Sequence, residues 1–207
     1  MNERPLPHDL LWGMRAEMLA PDAPAWAVAA LNAGHPVVVR RAHDVAECIA
    51  VGLRGSARHE RLAAWMPVAQ IQRRVRPEGL LASRLSGMHP VFLALSAVQP
   101  VLGAHGLTWG VTGSAGYALA TGLEVLTPDS DLDLLIRAPV PLTRDGARTL
   151  LGEIEAAACC RVDIQIETPL GGLALREWAG SSERVMVKTA QGPHLVSSPW
   201  SLQEQAA

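Results

Sequence analysis

Ser130-Asp131-Leu132-Asp133-Leu134-Leu135-Ile136-Arg137 decides how the rest of the chain is read. Its first positions alternate, which sets Asp131 and Asp133 on one side of a strand and Leu132, Leu134 and Ile136 on the other. Carboxylates at i and i+2 on a strand have Cα atoms about 6.5 to 7 Å apart, so their side chains can converge on a divalent cation. Further on, Arg161-Val162-Asp163-Ile164-Gln165-Ile166-Glu167 alternates in the same way and brings Asp163 to the polar side of a second strand. Hard oxygen ligands on an open face suit Mg²⁺ when substrate phosphates complete its octahedron. A two-metal site needs a third carboxylate of the kind Asp163 offers.

Outward from this pair, Ala147, Leu150, Leu151, Ile154 and Ala158 recur at helical spacing, with Thr143 or Asp145 as the cap. Upstream, Pro90 opens a helix toward Val98 that Pro100 and Gly103 should end or kink, and Thr108 to Thr112 reads as a strand. Gly113-Ser114 then opens an Ala-rich helix to Gly122, and Arg184 to Thr189 reads as a further strand. Strands and helices in this order predict an α+β domain, a mixed sheet with helices on one face.

The N-terminal part predicts a helix over 25–33 and a strand from Val37 to Arg40. A second helix is expected from Asp44, as N-cap with Glu47 completing a capping-box pattern, to Ala50. Residues 54–62 read as polar and exposed, and Arg73-Arg74-Val75-Arg76-Pro77-Glu78-Gly79 as the end of this unit and the start of a linker. The expected organisation is a small α/β N-terminal domain over 1–80 and a larger domain over 88–207.

Gly113-Ser114 sits at a strand-to-helix junction, where amides without a helical partner and a hydroxyl can hold a phosphate. Lys188, the single lysine of the chain, is a point charge suited to a triphosphate tail. Taken singly, D-x-D also fits a solvated strand edge, Gly-Ser an ordinary turn and Lys188 a surface cation. Their conjunction points to phosphoryl transfer, in which positioning and charge neutralisation do most of the catalysis. Gly55-Ser56 has no alternating acids after it. The seven histidines form no H-E-x-x-H and have no C-x-x-C companion, so zinc is not indicated.

Composition narrows the class. With 49% hydrophobic and 18% charged residues, the 207-residue chain is too apolar for disorder. Net charge is −2, made of about +3 over residues 1–87 and −5 afterwards, far from the dense basic face of a DNA or RNA binder. Seventeen of the eighteen cations are Arg, a bias that genome composition produces. Cys48, Cys159 and Cys160 form no disulfide framework, and no basic-then-apolar leader is read, so reduced thiols and a cytoplasmic location are expected. The uncharged residues between Arg84 and Glu124 would be long enough to cross a bilayer, but Pro90, Pro100 and six glycines between 103 and 122 interrupt them, so no membrane association is expected.

Several further segments carry a resemblance. Trp109-Gly110-Val111-Thr112-Gly113-Ser114, Thr121-Gly122-Leu123, Ser130-Asp131-Leu132-Asp133-Leu134, Arg161-Val162-Asp163, Arg176-Glu177-Trp178 and Val187-Lys188 resemble the malonate decarboxylase holo-acyl-carrier-protein synthases, or phosphoribosyl-dephospho-CoA transferases. His8-Asp9-Leu10-Leu11-Trp12 and Val38-Val39-Arg40-Arg41 fit the same family, so the likeness covers nearly the whole chain. It implies a nucleotidyltransferase-fold domain after a small N-terminal one, with Asp131 and Asp133 as the catalytic metal-binding pair and Mg²⁺ as the cofactor. The implied reaction joins 2′-(5-triphosphoribosyl)-3′-dephospho-CoA to a serine of the acyl carrier subunit of malonate decarboxylase and releases pyrophosphate.

In that scheme Asp163 ligates metal or acts as general base, and Gly113, Ser114 and Lys188 hold the β and γ phosphates. From the positive balance of the N-terminal region, Arg73 and Arg74 are read as a docking surface for the acidic carrier or the donor's other phosphates, the alternative being a solvated face enriched in Arg by genome composition. Two departures stand out: sixteen residues separate Ser114 from Asp131, and Ile164-Gln165 follows Asp163 where Gly and Glu are expected. Two alternatives remain open at this point, AMP transfer from ATP by another nucleotidyltransferase and a non-catalytic module that binds a nucleotide or carrier.

Overall fold

A computed structural model of the chain describes residues 3–43, 45–55, 57, 59–82 and 89–201. Two sheets organise it. The first is antiparallel, in the order β4-β3-β2-β1-β5, from β1 (Leu10–Trp12), β2 (Val37–Val39), β3 (Cys48–Arg54), β4 (Arg61–Pro67) and β5 (Arg73–Val75). Helix α1 (Ala25–Asn32) buries Ala27 and Leu31 against Leu11, Val37, Val39, Ile49, Val51 and Met66.

The second sheet has the order β11-β10-β9-β8-β7-β6. Its strands are β6 (Thr108–Val111), β7 (Leu132–Arg137), β8 (Val162–Glu167), β9 (Gly172–Ala174), β10 (Val185–Thr189) and β11 (Gly192–Val196). The strands β7 and β8 are parallel, joined through α4 (Arg144–Ala157), and the other pairs are antiparallel. One face of this sheet carries Leu132, Leu134, Ile136, Val162, Ile164, Ile166, Val185 and Val187 into a core closed by α2 (Pro90–Ala104), α4 and α5 (Leu175–Ala179). Thr143 caps α4 by accepting from the Gly146 amide at 3.0 Å. The architecture is α+β, as the alternation of strands and helices indicates.

The polar face of the second sheet is covered by the N-terminal region. His8 Nε2 lies 2.8 Å from the Gln165 side-chain nitrogen, and Arg41 donates to Glu167. Arg137 donates to Glu78 at 2.8 Å, and its guanidinium stands 3.9 Å from Asp9, a fully buried carboxylate. Gly110 is a close approach: a Cβ there would lie 2.2 Å from the Pro77 carbonyl carbon.

One local expectation is corrected and three others are made definite. Residues 45–50 are not a helix: Glu47 takes φ 58, which no helix accommodates, and the period-two burial of Ile49, Val51 and Leu53 belongs to β3. Asp44 itself lies outside the described residues. Arg73–Val75 closes the N-terminal unit as β5, in register with β1 from Leu10↔Val75 to Trp12↔Arg73. Helix α2 runs through Pro100, where Leu95, Val98 and Leu102 keep their helical spacing and stay buried, and ends one residue past Gly103. In the 54–62 segment Arg54 ends β3, Arg61 and Leu62 begin β4, and the Gly55 amide donates to the Glu60 carbonyl at 3.0 Å. Among the described residues no helix is long and apolar enough to cross a membrane.

Candidate active site

Asp133 is the second residue of β7 and Asp163 the second of β8, and the parallel register pairs them directly. Asp131 immediately precedes β7. Each of the three offers a carboxylate oxygen, and these oxygens lie within 4.8 Å of one another. The alternation that aims the acids outward also drives Leu132, Leu134, Val162 and Ile164 into the core, so hydrophobic burial fixes the geometry of the acids.

The cluster is electrostatically loaded. Burial pushes the Asp133 carboxyl up to about 6, and the neighbouring Asp131 and Asp163 push in the same direction. Arg54 and Arg161 act against the rise. Arg161 donates to Asp163 at 2.5 Å on the exposed side, and that contact raises the guanidinium's own pKa. A hard divalent cation would relieve the mutual repulsion, and three carboxylates at this spacing fit one.

Gly113 and Ser114 open α3 (Gly113–Thr121) directly beside the acids. Gly113 has φ 59, and a Cβ there would stand 1.8 Å from Asp133 Oδ2. The Thr112 amide donates to the Asp133 carbonyl at 2.9 Å, which ties the junction to β7. Ser114 Oγ accepts from Arg54 Nη2 at 2.9 Å, a bond that crosses from the first sheet to the second. A second crossing contact lies on the same helix, where the Tyr117 hydroxyl donates to the Pro36 carbonyl at 3.4 Å. Burial pushes that phenol up to about 12.

The structure thus brings Asp131, Asp133, Asp163, Gly113 and Ser114 together, and it places Lys188, Arg73 and Arg74 elsewhere. Lys188 pairs with Gly172, which pairs with Glu167. That is four residues along β8 from Asp163, or about 13 Å from the strand rise. Arg74 donates through Nε to the buried Asp9 at 2.6 Å and through Nη1 to the Glu3 carbonyl at 2.8 Å, so it serves an internal ion pair. The Arg73 guanidinium lies over the Trp12 ring, 4.4 Å from its centroid, on a cavity of about 230 Å³ that also meets Thr121 and Leu123 on the α3 side.

Residue-by-residue reading missed Arg54, Arg161 and His8. Arg161 had a local signal, since it is two residues from Asp163. His8 takes φ 75, rare for a residue with a side chain, while its imidazole stands over Gln165, and burial lowers its pKa. Nothing near Arg54 in the sequence announces that it meets Ser114.

Comparison with known proteins covers both parts of the chain. Residues 6–77 match the family described as phosphoribosyl-dephospho-CoA transferase MdcG N-terminal domain, and residues 80–199 match its C-terminal domain. A phosphoribosyl-dephospho-CoA transferase of Pseudomonas putida (strain W619) is 54% identical over 205 residues, 98% of each chain. Those of Pseudomonas fluorescens (strain Pf0-1) and Azotobacter vinelandii are 51% identical over 207 residues and 52% identical over 201 residues. The first covers 100% of both chains, and the second 95% of this chain and 94% of the relative. No solved structure matches the chain.

Proposed function

The chain belongs to the phosphoribosyl-dephospho-CoA transferase family and is a transferase, and we propose that it attaches the phosphoribosyl-dephospho-CoA prosthetic group to an acyl carrier protein. The donor is 2′-(5-triphosphoribosyl)-3′-dephospho-CoA and the acceptor a serine of the carrier subunit of malonate decarboxylase. The second sheet then serves as a nucleotidyltransferase-type scaffold, and the enzyme works in the cytoplasm, where free Cys48, Cys159 and Cys160 stay reduced.

The observation that carries this reading is the convergence of Asp131, Asp133 and Asp163 beside the Gly113-Ser114 junction. Asp131 and Asp133 hold Mg²⁺, which when bound acidifies the attacking hydroxyl and offsets charge on the leaving pyrophosphate. The serine oxygen forms a bond to the α-phosphorus while the bond from that phosphorus to the bridging oxygen breaks, its electron pair leaving on pyrophosphate. Asp163 either completes the ligand set or accepts the serine proton; in the first case the proton leaves to solvent. The amides that begin α3 and the Ser114 hydroxyl receive the β and γ phosphates, with Gly113 keeping the approach clear. Lys188, expected with them to hold the β and γ phosphates, lies further along the sheet, on β10.

The test is the intact mass of apo carrier after incubation with the enzyme, Mg²⁺ and either the triphosphoribosyl donor or ATP. An adduct of phosphoribosyl-dephospho-CoA with the first donor alone is expected. An AMP adduct with ATP would reassign the enzyme to AMP transfer, and no adduct with either would leave it a binding module.

A further inference from the structure

A departing pyrophosphate carries more negative charge than helix amides and a hydroxyl offset by themselves, and a side-chain cation at the α3 junction would share that load with the metal. Lys188 is about 13 Å along the sheet from Asp163. Arg54 ends β3 in the first sheet, and its Nη2 donates to Ser114 Oγ at 2.9 Å, one residue from the glycine that abuts Asp133. Its charge is felt at both Asp133 and Tyr117, which flank the junction.

We propose that Arg54 binds the β and γ phosphates of the donor and the pyrophosphate formed from them, so that the N-terminal sheet supplies part of the active site. The proposal rests on the transferase reading above. A phosphate chain that meets metal at Asp131 and Asp133 and rests on the Ser114 amide passes within reach of the guanidinium, whose planar fork matches two phosphate oxygens. Arg54 donates hydrogen bonds and exchanges no proton. The covalent step is the one already given, from serine oxygen to α-phosphorus with pyrophosphate leaving.

The experiment is calorimetric titration of Mg²⁺-pyrophosphate into the full-length protein, wild type against Arg54→Gln and Arg54→Lys, with the KM for donor measured alongside. Glutamine keeps a donor for Ser114 while removing the charge, and thermal melts report whether the contact between sheets survives. Loss of a charge-assisted contact is expected to weaken pyrophosphate about 10- to 100-fold in Arg54→Gln, with Arg54→Lys in between and donor KM rising in parallel. Pyrophosphate affinity and donor KM within threefold of wild type in Arg54→Gln would overturn the proposal and leave Arg54 a tether between the sheets. Failure of the wild type both to bind pyrophosphate and to modify carrier would instead bring down the transferase reading.

Discussion

Gly113 stands so close to Asp133 that any side chain at position 113 would occupy the place of the carboxylate: the ideal Cβ position is 1.8 Å from Oδ2. At φ 59 the position is also strained for any L-residue with a side chain. Gly113→Ala is therefore expected to displace Asp133 by an ångström or more. A misplacement of about that size costs on the order of 100-fold in rate, measured as turnover of carrier, while the far-UV circular dichroism stays that of wild type. Activity above a tenth of wild type would mean that the junction yields without disturbing the acids.

Asp131→Asn and Asp133→Asn should each lower transfer by more than the roughly 100-fold that loss of an outer-shell partner costs. Asp133 adds a stability signature. Because its carboxyl is raised to about 6, it favours the fold when protonated, and this contribution is lost as pH rises through about 6. In EDTA at pH 7.5, Asp133→Asn is expected to be more stable than wild type by about 2 kcal/mol, or roughly 4–8 °C in Tm. The gap should close near pH 4. Added Mg²⁺ should raise the Tm of wild type and leave that of Asp133→Asn nearly unchanged.

Asp163 already accepts from Arg161, so its substitution separates two roles. Asp163→Asn is expected to cost about 100- to 10,000-fold if the carboxylate takes the serine proton, and only about 10- to 100-fold if it acts from outside the metal's own ligands. If the carboxylate ligates metal, raising Mg²⁺ restores turnover and the half-saturating concentration shifts upward. If it takes the serine proton, Mg²⁺ does not help and the acidic limb of the pH–rate profile disappears.

Arg73 and Arg74 are neighbours in sequence with opposite surroundings. Arg74→Ala leaves Asp9 buried without its closest cation, a change that costs about 3–5 kcal/mol and is visible as a large fall in Tm. Arg73→Ala removes a stacking contact over Trp12 worth about 1 kcal/mol or less. Its effect on the KM for carrier at low and high salt tests whether this surface meets the acidic partner. Attraction between exposed charges fades over a Debye length of about 8 Å at physiological salt, so a KM rise confined to low salt supports docking and an unchanged KM removes Arg73 from it.

The acids are legible because the positions around them alternate: burial of Leu132, Leu134, Val162 and Ile164 leaves Asp133 and Asp163 one side to face, although buried Leu135 ends the alternation on β7. Residues 45–50 were misread because the Asp44 and Glu47 pattern resembles a capping box, while the left-handed turn at Glu47 that redirects the chain into β3 has no local marker. Lys188 follows an alternating strand too, but strand order decides its neighbours, and the insertion of β9 between β8 and β10 carries it away from Asp163. Arg54 depends on two sheets meeting, and no spacing within one segment encodes that. The same holds for Arg74, whose partner Asp9 lies on the approach to β1.

Asp133 and Asp163 are adjacent in space but thirty residues apart in the chain, on parallel strands that a crossover helix must connect. That separation orders events in time. Hairpins such as β3–β4 and β10–β11 close over short loops, whereas the β7–β8 ladder waits for α4 and for the entropy of a long closure. The carboxylates meet only at that moment, so their repulsion falls on a late assembly step, and a nascent chain that ends before Val162 contains two of the acids but no centre. A divalent cation held by these acids would then aid assembly: refolding followed by tryptophan fluorescence should complete faster in Mg²⁺ than in EDTA, and the difference should vanish in Asp133→Asn.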